Sequence, residues 1–104
     1  MKSKSEEKHD ALVRKLEAEL SEVGAFCQTF IPYSEGKITG EIDLFAIYDT
    51  LPPQYEFYEV KCHNSISKVI KAREQYHRFL RAYNLNEHHV WGFLVTGEGR
   101  SRIL

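Results

Sequence analysis

Three side chains on two neighbouring strand-like runs could do chemistry together: Asp43, Glu59 and Lys61. Asp43 lies in residues 41–48, EIDLFAIY, among Ile42, Leu44, Phe45, Ala46 and Ile47. Glu59 and Lys61 lie in residues 55–62, YEFYEVKC, two positions apart and therefore on one face of a strand. Ionised groups on core strands are costly unless they are paired or hold a metal. The plain reading is a salt bridge at a sheet edge, Lys61 with Glu59 or Asp43. The sharper one is a hard-cation site: two carboxylates, a backbone carbonyl, and open positions for water and phosphate, with the lysine beside the attacking water. Acids on consecutive strands with a lysine at the required offset favour one site over two accidents.

The elements that must position these groups follow from periodicity. The first nine residues mix charge and serine and are expected to fray. From Asp10 a helical pattern begins, with Leu12, Leu16, Leu20 and Val23 at three- and four-residue steps and Gly24 as its stop. Residues 25–33 read as a short mixed strand, and Ser34-Glu35-Gly36-Lys37 as a turn. In residues 41–48, alternation puts Ile42, Leu44, Ala46 and Tyr48 on one face, Asp43 and Phe45 on the other. Pro52-Pro53 marks a loop, and residues 55–62 complete a hairpin with the preceding strand. Val69, Ala72, Tyr76, Phe79, Leu80 and Tyr83 form the apolar stripe of a second helix, residues 66–83. VWGFLVT, residues 90–96, is a buried-type strand, and residues 97–104 a short tail. The order α-β-β-β-α-β predicts an α/β domain, one mixed sheet flanked by two helices.

Composition bounds the rest. With 104 residues, 42% of them hydrophobic and 28% charged, there is room for one folded domain, residues 10–104 after the N-terminal stretch. Such a chain buries only about 65% of its unfolded surface, so pairing of two copies is expected. No apolar run reaches the roughly 18 residues of a membrane span, and the two cysteines fit a reducing cytoplasm. A net charge of −1 excludes a strongly basic surface, so nucleic-acid binding would need local patches.

Gly40-Glu41-Ile42-Asp43-Leu44 followed by Glu59-Val60-Lys61 resembles the PD-(D/E)xK nuclease superfamily, above all its small archaeal-type Holliday-junction-resolvase-like members. Ile42 stands where the superfamily's name has a proline. The resemblance covers nearly the whole chain and implies a restriction-endonuclease-like αβββαβ core. It implies a metal-dependent nuclease that hydrolyses DNA by in-line water attack, acting as a homodimer on branched DNA in its most specialised form. Asp43 and Glu59 would hold Mg²⁺ or Mn²⁺ with the Val60 carbonyl, and Lys61 would stabilise charge on the phosphate. The superfamily also supplies an acid from the first helix; Glu17 is ranked ahead of Glu19 and Asp10, and a solvated helix face explains any of them as well. Gln75, on the second helix, is placed to touch water or phosphate, or is simply exposed. Lys68, Lys71, Arg73, Arg78 and Arg81 form the best basic patch for a DNA backbone, and Ser65 and Ser67, at the start of that helix, would bind phosphate at its N-terminus. Two rivals remain: a catalytically inactive nuclease-fold module for DNA binding or assembly, and an RNA-directed nuclease.

The other reactive types carry less. Cys27, His63 and His88-His89 lack zinc-ligand spacing and read as packing residues, Cys62 as a small core residue. Trp91 and Phe93 fit a core strand better than a base-stacking platform, and Tyr33, Tyr48, Tyr55 and Tyr58 are candidates for a dimer seam.

Overall fold

The computed structural model describes residues 2–63 and 65–103. Met1 and Leu104, which bound the two expected segments, lie outside the described residues. Helix α1 runs Lys4–Glu22, six residues earlier than the periodicity predicts. The reason is local: Ser3 caps it, its Oγ accepting from the Glu6 N–H at 3.2 Å, and Glu6 and Glu7 occupy the first turn, where carboxylates favour a helix N-terminus. The expected fraying of residues 1–9 is thereby corrected from Lys4 onward. Val13, Leu16 and Leu20 are its buried face.

Strand β1, Ala25–Glu35, pairs antiparallel with β2, Ile38–Tyr48, across a two-residue turn at Gly36 and Lys37. Gly36 has φ +60°, a conformation glycine adopts without Cβ strain. Pro32 sits in β1 at no cost to a central ladder because β1 is the sheet's edge. Strand β3, Gln54–Val60, pairs antiparallel with β2 and stops two residues before the expected end at Cys62. Helix α2, Ile66–Ala82, capped by Ser65, then carries the chain across to β4, Val90–Thr96, which lies parallel to β3. The expected tail contains a further strand, β5, Gly99–Arg102, hairpinned to β4.

The result is a five-stranded mixed sheet, order β1-β2-β3-β4-β5, with a helix on each face. Against α1 pack Leu44, Ala46, Tyr58 and Val60; against α2 pack Ile42, Phe45, Phe57 and Leu94. The α/β expectation holds, with one strand more than the pattern gives. Strict alternation along β2 does not hold. Ile42 joins Phe45 on the α2 side while Leu44 faces α1, so the pleat breaks at Asp43. Among the described residues no helix is long and apolar enough to cross a membrane.

Candidate active site

The break at Asp43 is where the functional groups gather. The β2–β3 ladder runs regularly from Tyr48 opposite Gln54 to Leu44 opposite Tyr58, and there it ends. The next pair in register is Asp43 with Glu59, and at this step side chains replace the backbone ladder. The Asp43 N–H donates to Glu59 Oε1 at 3.2 Å, and the Val60 N–H donates to Asp43 Oδ2 at 2.7 Å. Each carboxylate thus satisfies a buried backbone donor that the parting strands would otherwise strand. On the other side of β2, Phe30 stands opposite Asp43, between the Thr29–Leu44 and Ile31–Ile42 pairs, with φ +52°. A bulky residue in that region is strained, and it marks a local irregularity in β1 opposite Asp43, with the pairing to β2 resuming in the same register beyond it.

The second oxygen of each carboxylate turns to side chains. Asp43 Oδ1 lies 3.2 Å from His9 Nε2 on α1. Glu59 Oε2 accepts from Gln75 Nε2 on α2 at 3.0 Å and lies 3.7 Å from Lys61 Nζ. Gln75 Oε1 accepts from the Tyr33 hydroxyl at 3.3 Å, so the amide is oriented from both ends. Tyr33 can lie there because its cross-strand partner is Gly40, where a Cβ would come within 2.4 Å of the phenolic oxygen. Behind His9, Nδ1 lies 3.2 Å from Asp10 Oδ1, and Asp10 also pairs with Lys2.

Asp43 is 6% exposed and Glu59 1%. Burial first, and the neighbouring Asp43 carboxylate second, push the Glu59 carboxyl up to about 8, with the Lys61 ammonium opposing. For His9 burial works against the charged ring, but Asp43 and the hydrogen bonds to Asp10 and Asp43 outweigh it and raise its pKa. The site therefore favours added positive charge: a proton on Glu59, a charged imidazole, or a cation. Among the described residues no group of three or more His, Cys, Asp or Glu side chains forms a metal cluster. A hard cation would have Asp43 and Glu59 as its protein carboxylates and complete its shell with backbone carbonyl, water or phosphate oxygens, a donor set that Mg²⁺ accepts.

The expected residues are brought together unequally. Asp43, Glu59, Val60, Lys61 and Gln75 meet at one point, Val60 through its N–H. Glu17 does not join them: it pairs with Arg14 at 3.0 Å and stands eight residues from His9, about 12 Å along the helix. Glu19 is exposed, and Asp10 reaches the site only through His9. Lys68, Lys71 and Arg78 share one stripe of α2 with Gln75, at three- and four-residue steps. Arg73 lies off that stripe, and its Nε donates to the Ile103 carbonyl at 3.0 Å.

His9 and Tyr33 escaped the reading of the sequence. The signal for His9 was present: it extends the Val13, Leu16, Leu20 stripe by one turn toward the N-terminus. Tyr33 and Tyr58 are buried, so neither can line a seam between copies. His63, His88 and His89 are exposed and Cys62 is half-buried, so none is a core packing residue.

No family model matches the chain, and none of the curated proteins searched matches it. Among solved structures it is similar to the crystal structure of a protein of unknown function, AF1548, with 21% identity and a TM-score of 0.58. The likeness covers 84% of this chain and 47% of that one, so this chain spans about half the length of the protein it matches. At that identity the two share a fold, and the likeness speaks to nothing further.

Proposed function

We propose that this protein is a divalent-cation-dependent nuclease that hydrolyses DNA phosphodiester bonds by in-line attack of water, on a restriction-endonuclease-like core. The observation that carries the reading is the clasp between Asp43 and Glu59 with Lys61 alongside. Two carboxylates buried at a fork between strands, each locked to backbone by one oxygen, leave Asp43 Oδ1 and Glu59 Oε2 aimed at His9, Gln75 and Lys61. A cation bound there, Mg²⁺ or Mn²⁺, would supply a more acidic water and neutralise charge on phosphorus. Lys61 stabilises the negative charge growing on the phosphate oxygens. Gln75, fixed by Tyr33, holds Glu59 Oε2 in place and presents an amide to water. Lys68, Lys71 and Arg78, on the same helix stripe, set the nucleic-acid backbone in register without reading bases. Two copies acting together would place two cuts at a fixed separation, as a branched substrate requires.

One observation favours an inactive binding module instead: α1 presents His9 where the resemblance calls for an acid. Incubation of plasmid, branched DNA and RNA with Mg²⁺, Mn²⁺ or EDTA, beside Asp43→Ala and Lys61→Ala, separates these readings. Metal-dependent cutting lost in both variants supports the nuclease, and the preferred polymer separates DNA from RNA. Binding without cutting supports the module.

A further inference from the structure

The α1 face of the sheet is covered unevenly. Helix α1 lies over β1, β2 and β3, and past its edge the sheet is topped by the side chains of β5. There Tyr58 of β3 stacks on Phe93 of β4 at 5.1 Å, and Phe93 on Trp91 at 6.5 Å, making one aromatic row. Arg100 sits over the Tyr58 and Phe93 rings, at 5.2 and 5.6 Å, and Arg102 over the Trp91 ring at 4.2 Å. All four residues of β5 are exposed, and Trp91 is 42% exposed rather than buried in the core as the strand pattern predicts. A cleft of about 300 Å³ opens beside it, lined by Tyr76, Glu87, His88, Trp91 and Arg102.

We infer that Trp91, Arg100 and Arg102 form a binding shelf for single-stranded nucleic acid, the indole and guanidinium planes stacking bases while the arginines meet phosphates. In a chain of net charge −1, two arginines on alternate residues of an edge strand, each over an aromatic ring, place local positive charge where flat surface is open. Flat cationic and aromatic groups together suit a polyanion whose bases are unstacked, because a duplex hides its base faces and a single strand does not. In register Trp91 lies opposite Glu56, three residues or about 10 Å along the strands from Glu59, with the shelf on the α1 face and the Glu59 side chain on the α2 face with Gln75. Resting on the nuclease reading, this assigns the substrate class: nucleic acid with a single-stranded tail, flap or branch long enough to pass from the carboxylates round to the α1 face of the sheet.

Trp91 is the single tryptophan, so its fluorescence reports on the shelf alone. In EDTA, where nothing is cut, titration with oligodeoxythymidylate of about a dozen nucleotides is expected to quench it, and blunt duplex to quench it far less. Anisotropy with a labelled oligonucleotide gives affinity: Trp91→Leu and the Arg100→Ala/Arg102→Ala pair each weaken it about tenfold, and Trp91→Phe retains most of it. The inference is overturned if single strand leaves the fluorescence unchanged. Full affinity in the shelf variants, with loss only in Lys68→Ala/Lys71→Ala, overturns it too. Quenching by anionic phosphatidylserine vesicles but not by oligonucleotide would make the shelf a lipid contact and equally overturn it. Plasmid cleavage in Mn²⁺ is scored in parallel. Cutting without shelf binding removes the shelf and spares the nuclease; shelf binding without cutting removes the nuclease and spares the shelf.

Discussion

Asp43 and Glu59 stand opposite each other where β2 and β3 part, and each carboxylate binds a backbone N–H of the other's strand, at 2.7 and 3.2 Å. The same two groups that close the fork therefore supply the negative charge of the site. Structure and chemistry can be separated here by substitutions that keep shape and change charge.

Asp43→Ala removes the acceptor of the Val60 N–H and leaves a buried donor without a partner, an expected loss of about 1–3 kcal/mol. Asp43→Asn keeps a carbonyl oxygen for that bond, so it should unfold within a few degrees of wild type yet lose metal-dependent cleavage. Thermal unfolding beside a plasmid assay checks both. Equal destabilisation by the two variants would show that charge, rather than the clasp, holds the fork.

Glu59 sets a pH dependence. Its carboxyl is raised from 4.5 to about 8, by burial first and Asp43 second, so the folded chain holds this proton more tightly than the unfolded chain. The contribution to stability is fully present below about 4.5 and is lost as pH rises through about 8. Metal-free protein should lose unfolding temperature across that window, Glu59→Gln should lose less, and Mn²⁺ should restore wild type most at the alkaline end. Glu59→Ala should abolish cleavage, and above about pH 8, where the metal-free carboxyl is charged, DNA binding should survive or improve because a charge facing phosphate is gone.

His9 should titrate above the usual histidine range because Asp43 and Asp10 hold its charged form against the opposing effect of burial. The stability gained from this pairing is present below the ordinary histidine pKa and fades as pH rises through the folded value. NMR titration of the imidazole checks the direction, and Asp43→Asn should lower the midpoint. An unchanged midpoint in that variant would place His9 outside the site.

Gly40→Ala should displace Tyr33, since the new Cβ has 2.4 Å where ordinary contact needs more, at a cost of about 1–3 kcal/mol. Tyr33→Phe keeps the ring and removes only the bond to Gln75. Both should weaken Mn²⁺ binding by calorimetry, and the double variant should be no worse than Gly40→Ala alone, because the two act through one contact.

Lys68→Ala and Lys71→Ala should weaken DNA binding and each lower the salt slope by about 1. Arg73→Ala should leave the slope unchanged and instead loosen the C-terminal segment it holds through the Ile103 carbonyl. An equal effect of all three on the slope would keep Arg73 in the patch.

The sequence by itself determined the types of both α-helices and of four of the five strands, and it singled out Asp43 and Glu59 among the buried charged groups but not Glu56. Hydrophobic period marks helices and strands because burial is repeated along each element, and Asp43, Glu59 and Lys61 stand out because charge on core strands needs a reason. Gln75 was legible for the same cause, as an amide at the border of an apolar stripe. What period cannot carry is which neighbour ends up above a given face. His9 became a partner of Asp43 only when α1 was laid across β2. Glu17, on that helix, was carried two turns away. Tyr33 met Gln75 across 42 residues of chain, and Trp91 stayed open because α1 ends its cover short of β4. The break at Asp43 was likewise hidden, since alternation assumes that every backbone group finds its partner in the ladder. Here two of them find it in carboxylates, and that exchange exists only once β2 and β3 are side by side.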